Sequence, residues 1–174
     1  GERRRMAEKV QVIAECGKNF ITTERSEPLE VLLQKAKELV SAAQNAGAST
    51  AKFQAHFFED EVRPESERYE WVKRNTYPKE FWWEIKEYCR MKEIEFLATP
   101  MSRGAAMLLN EDLGIDRWKI GSGDILDFVM LDYIRDTGKP IILSSGMSSF
   151  EELKQSYEYL FEKTQDISIL HCVS

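Results

Sequence analysis

Two lysines stand inside apolar runs: Lys52 in Ala51-Lys52-Phe53-Gln54 and Lys119 in Trp118-Lys119-Ile120-Gly121. An ammonium group taken out of water without a partner is strongly disfavoured or gives up its proton, so both lysines need anionic company. At the ends of this and other short apolar runs stand Glu15, Gln54, Thr99, Ser122, Asp124, Ser144 with Ser145, and His171. Two arrangements satisfy the lysines. In one, Lys52 pairs with Glu15 and Lys119 with Asp124, as an internal ion-pair network. In the other, the lysines join the hydroxyls of Thr99, Ser122 and Ser144 around an anionic ligand. The carboxylates are then left for separate work. Convergence of two cations and three hydroxyl positions on one edge favours the anion site.

Gly121-Ser122-Gly123 and Ser144-Ser145-Gly146 directly follow apolar runs, and glycine lets backbone N–H groups come close to phosphate oxygens. Neither is a P-loop or a GxGxxG fingerprint, so nucleotide binding by those devices has no support. His56 and His171 are the two histidines of the chain, with no HExxH spacing. His171 reads as a core histidine satisfied by backbone. His56 opens the loop His56-Phe57-Phe58-Glu59-Asp60-Glu61-Val62, which is either a solvated acidic surface or a substrate lid. Cys16, Cys89 and Cys172 are odd in number and form no Cys-x-x-Cys pair. They read as small hydrophobic filler in a reducing, cytoplasmic setting, not as a disulfide framework or zinc knuckle.

The elements that must position these groups alternate regularly. Residues 10–15, 50–54, 95–100, 117–121, 140–145 and 167–172 are short and nearly continuously apolar, as strands buried on both faces are. Between them lie patterns of helical period. Leu29, Leu32, Leu33, Ala36, Leu39, Val40 and Ala43 form the first, with Ser26 or Glu27 as cap, Pro28 in the first turn and Gly47 beyond the end. Pro78 opens the second, carrying Phe81, Trp82, Ile85, Tyr88 and Cys89. A third covers residues 103–113 and a fourth residues 128–136, stopped by Gly138 and Pro140. Ser148 with Glu151 reads as a capping box ahead of Phe150, Leu153, Tyr157, Leu160 and Phe161. Six strands and five helices in strict alternation predict parallel strands with right-handed crossovers, interrupted by one long connection over residues 56–77. Periodicity leaves two closures open. A doubly wound open sheet fits within the chain, whereas a (β/α)8 barrel of about 250 residues would be incomplete. Either way, function gathers at the C-terminal strand edge.

The 174 residues carry 24 Lys+Arg against 30 Asp+Glu, a net charge of −6, which argues against a nucleic-acid footprint. Hydrophobic residues at 43% and charged residues at 31% give a globular composition and one domain. No apolar stretch has the length of a membrane span, and no secretory leader is visible. Arg3-Arg4-Arg5, beside an opening Gly1, carries no functional weight.

Taken in order, Ile13-Ala14-Glu15-Cys16-Gly17-Lys18-Asn19-Phe20, the segments at residues 51–62 and 96–103, Trp118-Lys119-Ile120-Gly121-Ser122-Gly123-Asp124, Pro140-Ile141-Ile142-Leu143-Ser144-Ser145-Gly146 and residues 169–174 resemble the strand-end motifs of the sialic acid synthases. These are the N-acetylneuraminate synthases and their legionaminic and pseudaminic acid relatives. The resemblance implies a (β/α)8 TIM-type barrel, incomplete in this chain, which supplies its N-terminal part over residues 1–174. It also implies a C-terminal antifreeze-like domain outside the chain, in a homodimer where that domain caps the partner's site.

The implied reaction condenses phosphoenolpyruvate with an N-acylated aminosugar such as N-acetylmannosamine. It releases phosphate by C–O cleavage, with Mn²⁺ or Mg²⁺ orienting the aldehyde and water. On this likeness Lys52, Thr99, Lys119, Ser122 and Ser144 hold phosphoenolpyruvate. Glu15, Gln54, Asn19 and Ser174 lie on the sugar side, and Asp124, with Glu15 and Lys119 in the catalytic set, stands where relatives have Glu. Where the family commonly reads Ile-Gly-Ile-Asn-His-Asn-Gly, this chain has Cys16-Gly17-Lys18-Asn19-Phe20-Ile21, so Phe20 replaces a histidine. The metal-binding histidines are expected beyond Ser174, which makes the chain inactive by itself. Two further classes fit the same residues: a non-catalytic phosphate or phosphoenolpyruvate-binding module, and a structural α/β interaction domain.

Overall fold

The apolar runs become strands in a computed structural model that describes residues 10–23 and 25–171. They are β1 (Ile13–Gly17), β2 (Thr50–Ala55), β3 (Glu95–Pro100), β4 (Trp118–Ile120), β5 (Ile141–Ser144) and β6 (Ile167–Leu170). All ladders are parallel, in the order β1-β2-β3 and β4-β5-β6. β4 lies against β3, but among the described residues the ladder is interrupted there. The order follows the chain and does not reverse. Register sets the site: Glu15 lies opposite Lys52, Gln54 opposite Thr99, and Lys119 opposite Ile142.

Helices α1 (Leu29–Asn45), α4 (Lys79–Met91), α5 (Arg103–Met107), α6 (Phe128–Thr137) and α7 (Phe150–Phe161) make the crossovers, with α5 running on into a π-helical turn, Leu108–Asp112. The five-helix expectation needs correction, because the 56–77 connection holds two short helices, α2 (Phe58–Glu61) and α3 (Tyr69–Arg74). Four-residue and six-residue helices are too short for a periodic signal to reveal.

Each long helix buries one face. Leu32, Ala36, Val40 and Ala43 of α1 and Phe81, Trp82, Ile85 and Cys89 of α4 point inward. Phe20 is fully buried among Phe53, Tyr77, Phe81 and Trp82, with ring centroids 5.6–6.4 Å away. The position at which the resemblance implies a histidine is therefore part of an aromatic core here. A buried ring of this size contributes about 1.5–3 kcal/mol.

Several local expectations shift. β1 starts at Ile13 and ends at Gly17, leaving Val10 and Val12 exposed. Pro28, not Ser26 or Glu27, precedes α1, and Glu27 pairs with Lys35 at 2.8 Å instead. The capping box of α7 is Ser149 with Glu152, one residue later than expected, because Ser148 donates its hydroxyl to the Ser145 carbonyl. α6 ends as expected at Gly138, whose φ of 65° is the left-handed stop. His171 is exposed at the end of β6, not part of the core. Phe150 and Phe161 also lie on the outside of α7. Among the described residues no helix is long and apolar enough to cross a membrane.

Candidate functional site

A cavity of about 580 Å³ opens at the C-terminal ends of the strands. β1 to β3 bring Glu15, Lys52, Gln54 and Thr99 to it. β4, β5 and the turns after them bring Lys119, Ser122, Asp124 and Ser144. Eight of the ten residues singled out from the sequence thus share one wall. Asn19 is exposed and outside the lining, its backbone N–H donating to the Cys16 carbonyl at 2.9 Å. Ser174 lies outside the described residues. Met101, Gly146 and Met147 also line the cavity. Their types carry no chemical signal in a sequence.

The two lysines are held differently. The Lys52 ammonium is in contact with a Glu15 carboxylate oxygen, and its side chain is 13% exposed against 55% for Glu15. The β1–β2 register sets Glu15 opposite Lys52, and at Gly17, where φ is +50°, a β-carbon would sit 3.2 Å from Glu15 Oε1. Lys119 is 3% exposed and donates to the Ile120 carbonyl at 3.2 Å. The internal ion-pair arrangement is therefore realised between Lys52 and Glu15. At an effective dielectric near 20, two unit charges 4 Å apart attract by about 4 kcal/mol, so a shared anion would outweigh most surface pairs.

Hydroxyls complete the lining. Thr99 Oγ1 is buried and has no hydrogen-bond partner in the structure. A hydroxyl in that state costs about 1–3 kcal/mol unless something occupies the space beside it. Thr99 Cγ2 and Asp124 Oδ2 both approach Gly121, 3.5 and 3.6 Å from where a β-carbon would stand. The threonine and the carboxylate therefore flank one turn. Ser144 is buried at the end of β5.

Asp124 has its pKa raised from 3.8 to about 6, first by burial, then by the carboxylates of Asp127 and Glu61, with His56 and Lys119 opposing. A carboxyl poised there exchanges a proton near neutrality, which suits general acid–base work. Cys16 and Cys89 are free and buried, their thiols pushed up to about 11 and about 12 chiefly by burial. They are inert filler, as the sequence suggests, while Cys172 lies outside the described residues.

The described residues contain no group of three or more His, Cys, Asp or Glu side chains that could hold a metal ion. The residues present therefore do not fit the divalent cation that the resemblance implies. A polar cluster missed from sequence sits beside Asp124: Lys18, His56, Glu61 and Trp71. The lid reading of His56 was its one visible trace.

Comparison with known proteins agrees with the motif likeness. The family model described as the NeuB family matches residues 39–174. An uncharacterized protein of Methanocaldococcus jannaschii is 37% identical over 139 residues, 79% of this chain and 41% of that protein. The N-acetylneuraminate-9-phosphate synthase of Homo sapiens is 30% identical over 176 residues, 94% of this chain and 46% of that enzyme. The crystal structure of an N-acetylneuraminic acid synthetase from Leptospira borgpetersenii, in complex with citrate, superposes with a TM-score of 0.81 at 30% identity. It covers 95% of this chain and 54% of its own. The chain spans about half the length of the curated relatives it matches.

Proposed function

Since the chain belongs to the NeuB family, we propose that it carries the phosphoenolpyruvate-holding part of a synthase. That synthase would join phosphoenolpyruvate to an N-acylated aminosugar of the N-acetylmannosamine kind, giving a sialic-acid-type nine-carbon acid and phosphate. The supporting observation is the gathering of Lys52, Lys119, the unpartnered Thr99 hydroxyl, Ser122 and Ser144 around one cavity. Citrate in the Leptospira structure supports the same choice, as a small polyanion held by a relative.

On this reading the two ammonium groups offset the carboxylate and phosphate charge of the ligand in a mouth of low dielectric. Thr99 Oγ1 and the seryl hydroxyls supply directional bonds to its oxygens. The enol carbon attacks the sugar aldehyde and forms the new C–C bond. Water then adds to the adjacent carbon, and that tetrahedral centre expels phosphate. Asp124 moves the proton that addition releases, and Glu15 and Gln54 face the sugar. No step is routed through Mn²⁺ or Mg²⁺, for which the described residues offer no donor set.

Six parallel strands in chain order support an incomplete (β/α)8 barrel over a doubly wound sheet, whose order reverses. The proposal extends to a cytoplasmic homodimer completed by further barrel and an antifreeze-like domain. By itself the chain would bind phosphoenolpyruvate and release little phosphate.

Calorimetric titration with phosphoenolpyruvate tests this. Saturable binding lost in Lys119→Ala supports it, and no saturable binding to the wild-type chain overturns it. A phosphate assay after adding N-acetylmannosamine and Mn²⁺ then separates an active synthase portion from a binding module.

A further inference from the structure

The 56–77 connection is tied down by a buried polar unit that the proposed reaction does not use. His56, the residue after β2, is 2% exposed. Its Nδ1 lies 2.7 Å from Glu61 Oε1, and the two side chains are 1% and 10% exposed. Glu61 Oε2 accepts the backbone N–H of Phe57 at 2.8 Å, so both carboxylate oxygens are engaged. An ionised carboxylate only accepts, so Nδ1 is the protonated nitrogen of the ring. On the other side of the ring, Lys18 Nζ stands 3.5 Å from Nε2.

Lys18 belongs to the turn after β1, two residues from Cys16 and three from Glu15. Its ammonium also lies 4.0 Å from the centre of the Trp71 ring in α3, which meets the His56 ring edge-on at 5.5 Å. Arg68 approaches the same indole at 5.4 Å. A second tie holds α2 from the other side, where Asp60 Oδ2 accepts the Gly104 N–H at 2.5 Å.

We propose that His56 and Glu61 are positioning residues: their buried pair latches the 56–77 connection onto the strand ends and, through Lys18, fixes the turn that presents Glu15 to Lys52. The chain of donors runs one way, from Lys18 N–H to His56 Nε2 and from Nδ1–H to Glu61. Each link holds the imidazole from one side, so the ring ties the β1 turn to α2. The charged groups near the imidazole are Lys18 from the β1 turn, Glu61 from α2 and Asp124 from the turn after β4. Burial and the charge of Arg68 lower the pKa of Lys18, with Glu61 opposing. The role rests on the phosphoenolpyruvate reading only for its consequence on binding. The latch itself is a property of the fold.

Hydrogen–deuterium exchange and phosphoenolpyruvate calorimetry on the full chain test it, comparing wild type with His56→Leu and His56→Asn. The asparagine amide can still donate to Glu61, and leucine cannot. His56→Leu is expected to speed exchange in residues 16–20 and 57–77 at least tenfold, leave residues 141–161 unchanged, and weaken phosphoenolpyruvate binding by about tenfold. His56→Asn is expected to recover both to within about threefold of wild type. Lys18→Met, in a partly exposed position, should loosen residues 16–20 alone, which guards against a His56 variant that fails to fold. Faster exchange spread evenly over the chain, or unchanged affinity in His56→Leu, overturns the proposal. A wild-type chain that binds no phosphoenolpyruvate overturns the functional reading instead, and the exchange pattern alone then decides the latch.

Discussion

Glu15 and Lys52 stand directly opposite each other in the β1–β2 ladder, and their side chains close an ion pair at the mouth of the cavity. The pair has unequal members, because Lys52 is largely covered while Glu15 is more than half exposed. The proposed anion would therefore compete with Glu15 for a largely covered cation.

Glu15→Gln separates these roles. Removing the carboxylate from a partly buried lysine is expected to lower stability by about 1–2 kcal/mol. The same change should tighten phosphoenolpyruvate binding several-fold, because Lys52 is no longer neutralised. Thermal melting and calorimetry on one sample read both, and weaker binding would count against competition.

Lys119→Met makes the opposite prediction for stability. Methionine fills similar volume without a charge to desolvate, which offsets the loss of the hydrogen bond to the Ile120 carbonyl. The melting temperature is expected to hold or rise while anion binding disappears. A large drop in melting temperature would mean that Lys119 serves the fold and not a ligand.

Asp124 sets a pH dependence whose sign follows from its raised pKa. The folded carboxyl holds its proton up to about 6, whereas the unfolded one releases it near 3.8. Between those values the unfolded state ionises first, so stability falls as pH rises through that window and stays reduced above it. Asp124→Asn removes the penalty and should stabilise the chain at pH 7 by about 1–2 kcal/mol, less than the full shift because solvent screens this partly exposed group. Near pH 4 the two proteins are expected to melt together. Melting curves at both values decide it, and an equal gain at both would assign the effect to something other than titration.

Gly104→Ala tests the second tie. An added β-carbon would run into the Phe57 ring and sit 2.5 Å from Asp60 Oδ2. Overpacking of this kind costs about 1–3 kcal/mol. Limited proteolysis should then cut within residues 57–77 sooner than in wild type, with strands β4 and β5 unaffected.

Much of this was legible in the residues themselves. Val/Ile/Leu runs around Lys52 and Lys119 gave their strands away because both faces of a parallel sheet are covered, and eight of the ten candidate residues line one cavity. What escaped was contact between segments distant in sequence. Lys18 and Trp71 are 53 positions apart with two helices and a strand between, and nothing in either neighbourhood announces the other. Phe20 reads in the sequence only as a replacement for a histidine, and nothing beside it announces the four rings that surround it. Ser148 and Ser149 offer the same cap chemistry, and the choice fell to which backbone N–H groups the helix left open.

The interruption between β3 and β4 divides the cavity: Glu15, Lys52, Gln54 and Thr99 lie on one bank and Lys119, Ser122, Asp124 and Ser144 on the other. No strand ladder crosses that line among the described residues, so cohesion there relies on side chains, among them the Arg117–Glu95 ion pair. An occupant gripped by both lysines would bridge the gap as a missing rung does. Its affinity would then be spent partly on the cooperativity of the whole domain, with the empty protein parting along this join first.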